Sequence, residues 1–581
     1  MATTADSGNI KTQDAAVPRY GVRKYSADLS AVGEPWLWGL GGALALGIIL
    51  VAGFLTMIFW NGASTFWPKP IEVVTLADGS VVAGEPRRSG IYRVGDALRE
   101  TLSSEALAMV DANEGLATRV LYRSANFDLY GDDFRWVSEY QVQDVERPTD
   151  FYLLERQEWG PFVGRIVGVT LDGRTRDVAT FGFGELKKIQ GDARARFREI
   201  RRIEQKDIGA VNYYMERERL ALRKVQLRHG PDSGQYRAKE AEVSARIDEM
   251  QTEFAAYQAQ IVEIRARDRL DTVLLEEVGG RQKEQLLSEI VRLYPANDLG
   301  FLQKVGVYLS RWAEFLTSEP REANTEGGVL PAIFGTVAMT LIMVVIVAPF
   351  GVITALYLRE YAKQGRIVSI VRVSVNNLAG VPSIVFGVFG LGFFAYTMGV
   401  RVDQLFYAER LPNPTFGTGG ILWASLTLAL LTVPVVIVAA EEALSAVPRS
   451  MREGSLACGA SKWQTIRRVV LPRAMPGIMT GLILAMARGA GEVAPLMLVG
   501  VVKLAPMLPV DTFYPFVHLE RSFMHLGFHI FDVGFQSRNS EAGKPMVYVT
   551  TMLLLFLIVA MNSSAIYIRN RLKRKFAVGQ F

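Results

Sequence analysis

One cysteine, Cys458, occurs in 581 residues, which excludes an intrachain disulfide and a cysteine-based zinc cluster. Histidine is almost as scarce, with four copies. Three of these, His518, His525 and His529, share one segment, and the last two have helical i, i+4 spacing. No recognised pattern supplies a third ligand, so no metal is expected there. The chain lacks a G-x-x-x-x-G-K-[ST] phosphate loop, and with it a nucleotide-hydrolysing site of that kind. It also lacks a zinc motif and a G-x-S-x-G nucleophile turn, so no catalytic residue is expected. A strong charge of one sign is missing too. A net +5 suits basic loops beside membrane spans, whereas a nucleic-acid partner would want a basic stripe on a soluble domain.

What the chain does have is segregation. Apolar residues make up 50% and charged residues 21%, and the two kinds hardly mix. Blocks of 18 or more apolar residues suit helices crossing the ~30 Å hydrocarbon core. Six such blocks occur, near 36–60, 329–357, 373–400, 421–440, 478–502 and 547–568. The first exceeds the roughly 7–15 apolar residues of a signal peptide and reads as an uncleaved anchor. The expected class is an α-helical polytopic membrane protein of six transmembrane helices with an α+β extracytoplasmic insert. Its parts are a tail at 1–35, an anchor at 36–60, an insert at 61–328, a membrane core at 329–568 and a tail at 569–581.

Lysine and arginine in short flanking loops set orientation. Lys11, Arg19, Arg23 and Lys24 precede the first span; Arg359, Lys363, Arg366 and Arg372 follow the second. Arg449, Arg452, Lys462, Arg467, Arg468 and Arg473 follow the fourth, and Arg569, Arg571, Lys573, Arg574 and Lys575 close the chain. With six spans, all four groups share one side. Both termini and the 441–473 loop are therefore expected in the cytoplasm, in a bacterial inner membrane.

Within the insert, about 68–185 reads as β-rich. The run Ile71–Leu76, the turn Ala77-Asp78-Gly79-Ser80 and the run Val81–Ala83 form a hairpin signal, and Phe162–Val169 followed by Leu171-Asp172-Gly173-Arg174 repeats it. A small barrel or a sheet fits equally. Over about 186–268 charged residues alternate with spaced apolar ones, broken by Gly230-Pro231-Asp232-Ser233-Gly234, which predicts an antiparallel helical hairpin.

Two polar features interrupt the membrane blocks. The first is Glu453-Gly454-Ser455-Leu456-Ala457-Cys458-Gly459, followed by Val469-Val470-Leu471-Pro472. It predicts a short helix, a glycine turn and a second helix ending at Leu-Pro. The second is Arg488 and Glu492, four residues apart and flanking the midpoint of the 478–502 block. Ionisable groups at that depth are costly unless they pair or face a polar path, and a guanidinium fork matches phosphate oxygens. An internal pair that only stabilises helix packing is the alternative. Pro382-Ser383, within the third block, permits a kink.

The loop spacing resembles the coupling loop of ABC-importer permeases: Glu-Ala-Ala, three residues, Gly, nine residues, Ile, one residue, Leu-Pro. Glu453, Gly459, Leu471 and Pro472 match in register, while Gly454, Ser455 and Val469 depart by small changes. Gly327–Ile333, Asn377–Gly387 and Ala487–Leu496 add to the likeness. Together they resemble permease subunits of the phosphate-specific ABC importer, of the PstA type more than the PstC type, over about 327–575. The resemblance implies a substrate pathway including Arg488, Glu492 and Ser383, and a coupling loop using Glu453, Gly454, Gly459, Leu471 and Pro472. It implies a PstC-type second permease subunit, ATP-binding cassette subunits that use the ATP, and a periplasmic phosphate-binding protein, with membrane lipid around the chain. No cofactor is expected on the chain itself. A permease for sulfate or molybdate, or a secondary transporter driven by an ion gradient, are the competing readings.

Overall fold

The computed structural model describes residues 35–177, 183–505, 507–537 and 540–577. The basic residues of the N-terminal tail and the end of the C-terminal tail lie outside these. The chain divides into two compact units, Met1–Met57 and Ile58–Phe581. The first holds most of an uncharged helix, Pro35–Ser64.

Among the described residues, six helices are long and apolar enough to cross a membrane: Trp38–Ser64, Leu330–Tyr361, Ser383–Phe406, Ile421–Ser445, Lys462–Gly491 and Ser540–Arg574. This is the expected class, a polytopic helical membrane protein with an α+β insert. The fourth span is the hub. In its most apolar window 67% of residues are buried, against 28% in the second and 17% in the sixth. Met339, Met343 and Val347 of the second span pack on Leu428, Leu431 and Val436 of the fourth, with Phe523 closing one end.

The fourth and fifth spans meet through small residues. A Cβ added at Gly477 would lie 2.6 Å from the Cβ of Ala443, and one at Gly481 would lie 2.4 Å from that of Ala439. Two residues four apart on each helix thus let the backbones touch, which is how helices associate where lipid removes the hydrophobic drive.

Three expectations are corrected here. The block 373–400 forms two helices, Arg366–Leu378 and a run starting at Ser383, instead of one. Pro382 lies at the start of the second piece and not inside a span, with φ −55° and ψ 135°. Its missing N–H and its restriction of Val381 break the ladder there. The block 478–502 does not place Arg488 and Glu492 around a helix midpoint. The helix ends at Gly491, so Arg488 occupies its last turn and Glu492 follows in extended backbone at φ −79° and ψ 136°. Gly489 and Gly491 weaken this last turn, and Pro495 has no N–H to bond back to Gly491. The helix expected to end at Leu471-Pro472 continues to Gly491, through a wide π turn at Ile466–Val470. That wide turn absorbs the hydrogen bond Pro472 cannot make.

Among the described residues the insert has two open antiparallel sheets of five and six strands, and a two-stranded ribbon of Pro320–Arg321 with Glu326–Gly327, rather than a barrel. The first joins β1 (Glu72–Leu76), β2 (Val81–Arg93), β3 (Leu116–Arg123), β4 (Phe134–Ser138) and β5 (Val142–Glu146) in the order β4-β3-β2-β1-β5. Its β1–β2 turn is pinned by Asp78, whose Oδ1 accepts from the Ser80 N–H at 2.9 Å. The second joins β6 (Tyr152–Arg156), β7 (Phe162–Leu171), β8 (Arg174–Asp177), β9 (Thr272–Glu276), β10 (Gln282–Leu286) and β11 (Ile290–Pro295) in the order β10-β9-β7-β6-β11, with β8 on β7. Between β8 and β9 the helical hairpin leaves the sheet. One arm runs Phe183–Arg202, through a π turn, to Gly209–His229, and Gly234–Asp268 returns.

Candidate functional site

The loop after the fourth span is built as a rigid elbow. Helix Arg449–Ala457 ends at Gly459, whose φ of +82° suits glycine and strains other residues. The Gly459 N–H donates to the Leu456 carbonyl at 2.9 Å and the Ala460 N–H to that of Ser455 at 3.2 Å, a Schellman closure. Ser461 then starts the next helix with a capping box. Its Oγ accepts from the Gln464 N–H at 3.2 Å, and Gln464 Oε1 accepts from the Ser461 N–H at 2.8 Å.

The two departures in the helix have physical readings. The hydroxyls of Ser455 and Thr465 lie 2.9 Å apart and staple the two helices. Gly454 faces open space that would accept a methyl group. Glu453 is exposed, and among the described residues no hydrogen bond or ion pair holds it. Leu456 and Trp463 are also exposed, giving the elbow an apolar outer face. Leu471 and Pro472 are half-buried at the base of the fifth span.

Arg452 fastens this elbow to the core. It donates to the carbonyls of Val447 at 2.6 Å and Leu444 at 2.7 Å, and pairs with Glu360 of the second span at 3.0 Å. Sequence reasoning counted Arg452 only as a loop charge. The matching acid lies 92 positions away, and no local pattern could have paired them.

Inside the membrane core, two interrupted helices adjoin. Arg488 Nε and Glu492 Oε1 are 3.5 Å apart, and both side chains are half-buried. Three residues on, Pro495 is met by the third span: a Cβ added at Gly387 would lie 2.7 Å from its Cα. Ser383, half-buried, lies one turn before Gly387 on the same helix face. The structure thus joins Arg488 to Glu492. It sets Ser383 on the neighbouring helix, with no hydrogen bond to either of them among the described residues. Backbone irregular at membrane depth is tolerated where protein or a water-filled path covers it.

Beyond the second break, His525 caps the helix Leu526–Phe531 by accepting from the Gly527 N–H at 3.1 Å. His525 and His529 are both buried. His518 bridges Asp511 at 3.0 Å and Glu520 at 3.2 Å. Among the described residues no group of three or more His, Cys, Asp or Glu side chains could hold a metal ion.

Residues 347–574, which carry both the elbow and the interrupted helices, match the family described as the binding-protein-dependent transport system inner membrane component. Over these residues the chain is similar to the permease components of that family. The probable ABC transporter permease protein YqgH of Bacillus subtilis is 36% identical over 205 residues, covering 34% of this chain and 62% of its own. The phosphate transport system permease protein PstA 1 of Mycobacterium tuberculosis is 41% identical over 175 residues, covering 30% of this chain and 52% of its own. The chain therefore spans about half to three-fifths of the length of these curated relatives. Among solved structures, a chain of the inward-facing MetNI methionine ABC transporter is similar at 19% identity and a TM-score of 0.31, over 42% of this chain and 95% of that one.

Proposed function

We propose that this chain is a transmembrane permease subunit of an ATP-driven phosphate importer. The observation that carries the coupling half is the elbow, with an unpaired Glu453 and an apolar outer face on a helix fixed to the core by Arg452. A pair of ATP-binding cassette subunits docking there would push on the fourth and fifth spans together. The basic loops support a cytoplasmic elbow and cytoplasmic termini in a bacterial inner membrane. A PstC-type second permease subunit would complete the pathway, and a periplasmic phosphate-binding protein would deliver the cargo.

The cargo half rests on Arg488 and Glu492. An ionised pair left half-exposed to hydrocarbon is costly, so that face belongs against a partner subunit or a wet path. The guanidinium matches an oxyanion, and the carboxylate keeps it from becoming a permanent anion trap. Ser383, at the start of the neighbouring helix, offers a hydroxyl along the same path. The phosphate permeases among the relatives support this cargo over sulfate or molybdate.

Phosphate uptake in cells whose only copy carries Arg488→Ala or Glu492→Ala, at normal membrane levels, tests the pathway. A charged contact of ~1.5–3 kcal/mol predicts a fall of about tenfold or more. Unchanged uptake in both variants overturns the assignment. Competition by sulfate or molybdate separates the oxyanions, and uptake that survives ATP depletion while the ion gradient persists favours a secondary transporter.

A further inference from the structure

We propose that the junction of the first span, the sixth span and the insert is a binding site for one anionic phospholipid headgroup. A cleft of about 810 Å³ opens there, within the range of pockets that hold drug-sized ligands. Its floor is the last turn of the first span packed on the sixth: a Cβ added at Gly62 would lie 3.1 Å from Met552 Sδ and 3.2 Å from the Tyr548 carbonyl oxygen. Trp60, Trp67, Tyr308 and Tyr548 line it. Such rings gather where a span leaves the hydrocarbon for the headgroup layer, which fixes the depth of the cleft.

Four cations face the same space: Lys69, Arg87, Arg88 and Lys544. Two carboxylates answer them. Glu85 pairs with Arg87 at 2.5 Å, and Glu541 serves both Arg88 and Lys544. Lys69 donates to the Pro86 carbonyl at 3.3 Å and has no carboxylate in ion-pair reach among the described residues. Burial, then the nearby charge of Arg87, pulls its ammonium below the usual range, and an anion in the cleft relieves both.

Basic pockets between membrane helices recognise phosphate diesters of lipid headgroups. The occupant is lipid rather than free phosphate because the site opens at the membrane boundary, beside an exposed Trp60 on a span with no charge of its own. A second cavity, of about 110 Å³, adjoins it through Arg87. There Arg123, Arg292, Arg311 and Arg321 are already matched to Glu155, Glu314 and Glu326, so it offers no comparable excess.

The test is native mass spectrometry of the full chain released from vesicles of phosphatidylglycerol and phosphatidylcholine. Retention of phosphatidylglycerol over phosphatidylcholine is expected. The Lys69→Gln/Lys544→Gln variant should retain about twenty-five-fold less, at roughly a factor of five per cation removed. Equal retention in the variant, or equal retention of the two lipids, overturns the proposal. So does displacement of the lipid by millimolar inorganic phosphate, which would reassign the cleft to the free ion. Should the double variant not fold, Trp60→Ala replaces it, since this ring is exposed; unchanged retention there counts equally against the site.

Discussion

Where the fifth span lies on the fourth, glycine meets alanine, whereas within the insert the contact of β6 and β11 with the helix Phe301–Thr317 is a mesh of ions. There Glu155 accepts from Arg311 Nε at 2.7 Å and is also paired with Arg292; Arg292 reaches Glu314 at 2.9 Å, and Glu314 takes Arg321. The contrast follows from the solvent each region left behind on folding. In lipid, only close backbone approach and dispersion distinguish a helix neighbour from an acyl chain. In the aqueous insert, charged groups can be gathered because each arrives with a partner. The two regions should therefore fail under different insults.

The largest expected effect is in the ionic mesh. Glu155→Gln leaves Arg311 and Arg292 short of their anion and should cost about 3–5 kcal/mol, read as a fall in the melting midpoint at neutral pH. Burial would raise the Glu155 carboxyl, but Arg311, Arg292 and Arg321 outweigh it and hold it at about 2, below the ordinary 4.5. With the folded value depressed, its stabilisation is fully present above 4.5 and is lost as pH falls from there through 2. Wild-type chain should lose midpoint over that window and the Gln variant should lose less. Parallel curves would remove Glu155 from the explanation.

Next comes the helix seam. Gly481→Leu forces a side chain into the space held by Ala439 and should cost about 1–3 kcal/mol, with little dependence on pH or salt. A midpoint loss that salt modulates would mean the seam is not the apolar contact described. The smallest effect is expected at Gly454, exposed in mid-helix with room for a methyl. Gly454→Ala should raise the midpoint slightly, by up to about 1 kcal/mol of helix propensity. A decrease would show that the open face is occupied in the folded protein.

Hydropathy located all six spans, and spaced apolar residues broken at Gly230–Gly234 located the helical hairpin, because burial in lipid and coiled packing leave composition and period in the sequence. It did not locate the breaks. An average over a window is blind to backbone, so Ala379–Pro382 and Glu492–Pro495 vanished into apolar blocks although both carry a proline. The Arg488–Glu492 approach was legible from i, i+4 spacing and survives the end of the helix between them. The Arg452–Glu360 clamp was not legible, since it joins residues far apart in the chain. The burial of His525 and His529 was hidden for a similar reason: their helix packs at Gly527 against Val493, which comes from another segment.

The glycine–alanine seam has a mechanical meaning. It makes the fourth and fifth spans a single beam, with the elbow as its foot. The helix from Lys462 to Gly491 has 30 residues, roughly 45 Å at 1.5 Å each. A beam of that length, tilted by about 5° at its foot, carries its far tip through about 4 Å. Arg488 and Glu492 ride at that tip, so under the proposed coupling a small push at Gly459 would carry the pair as a unit past Gly387 and Ser383 of the third span.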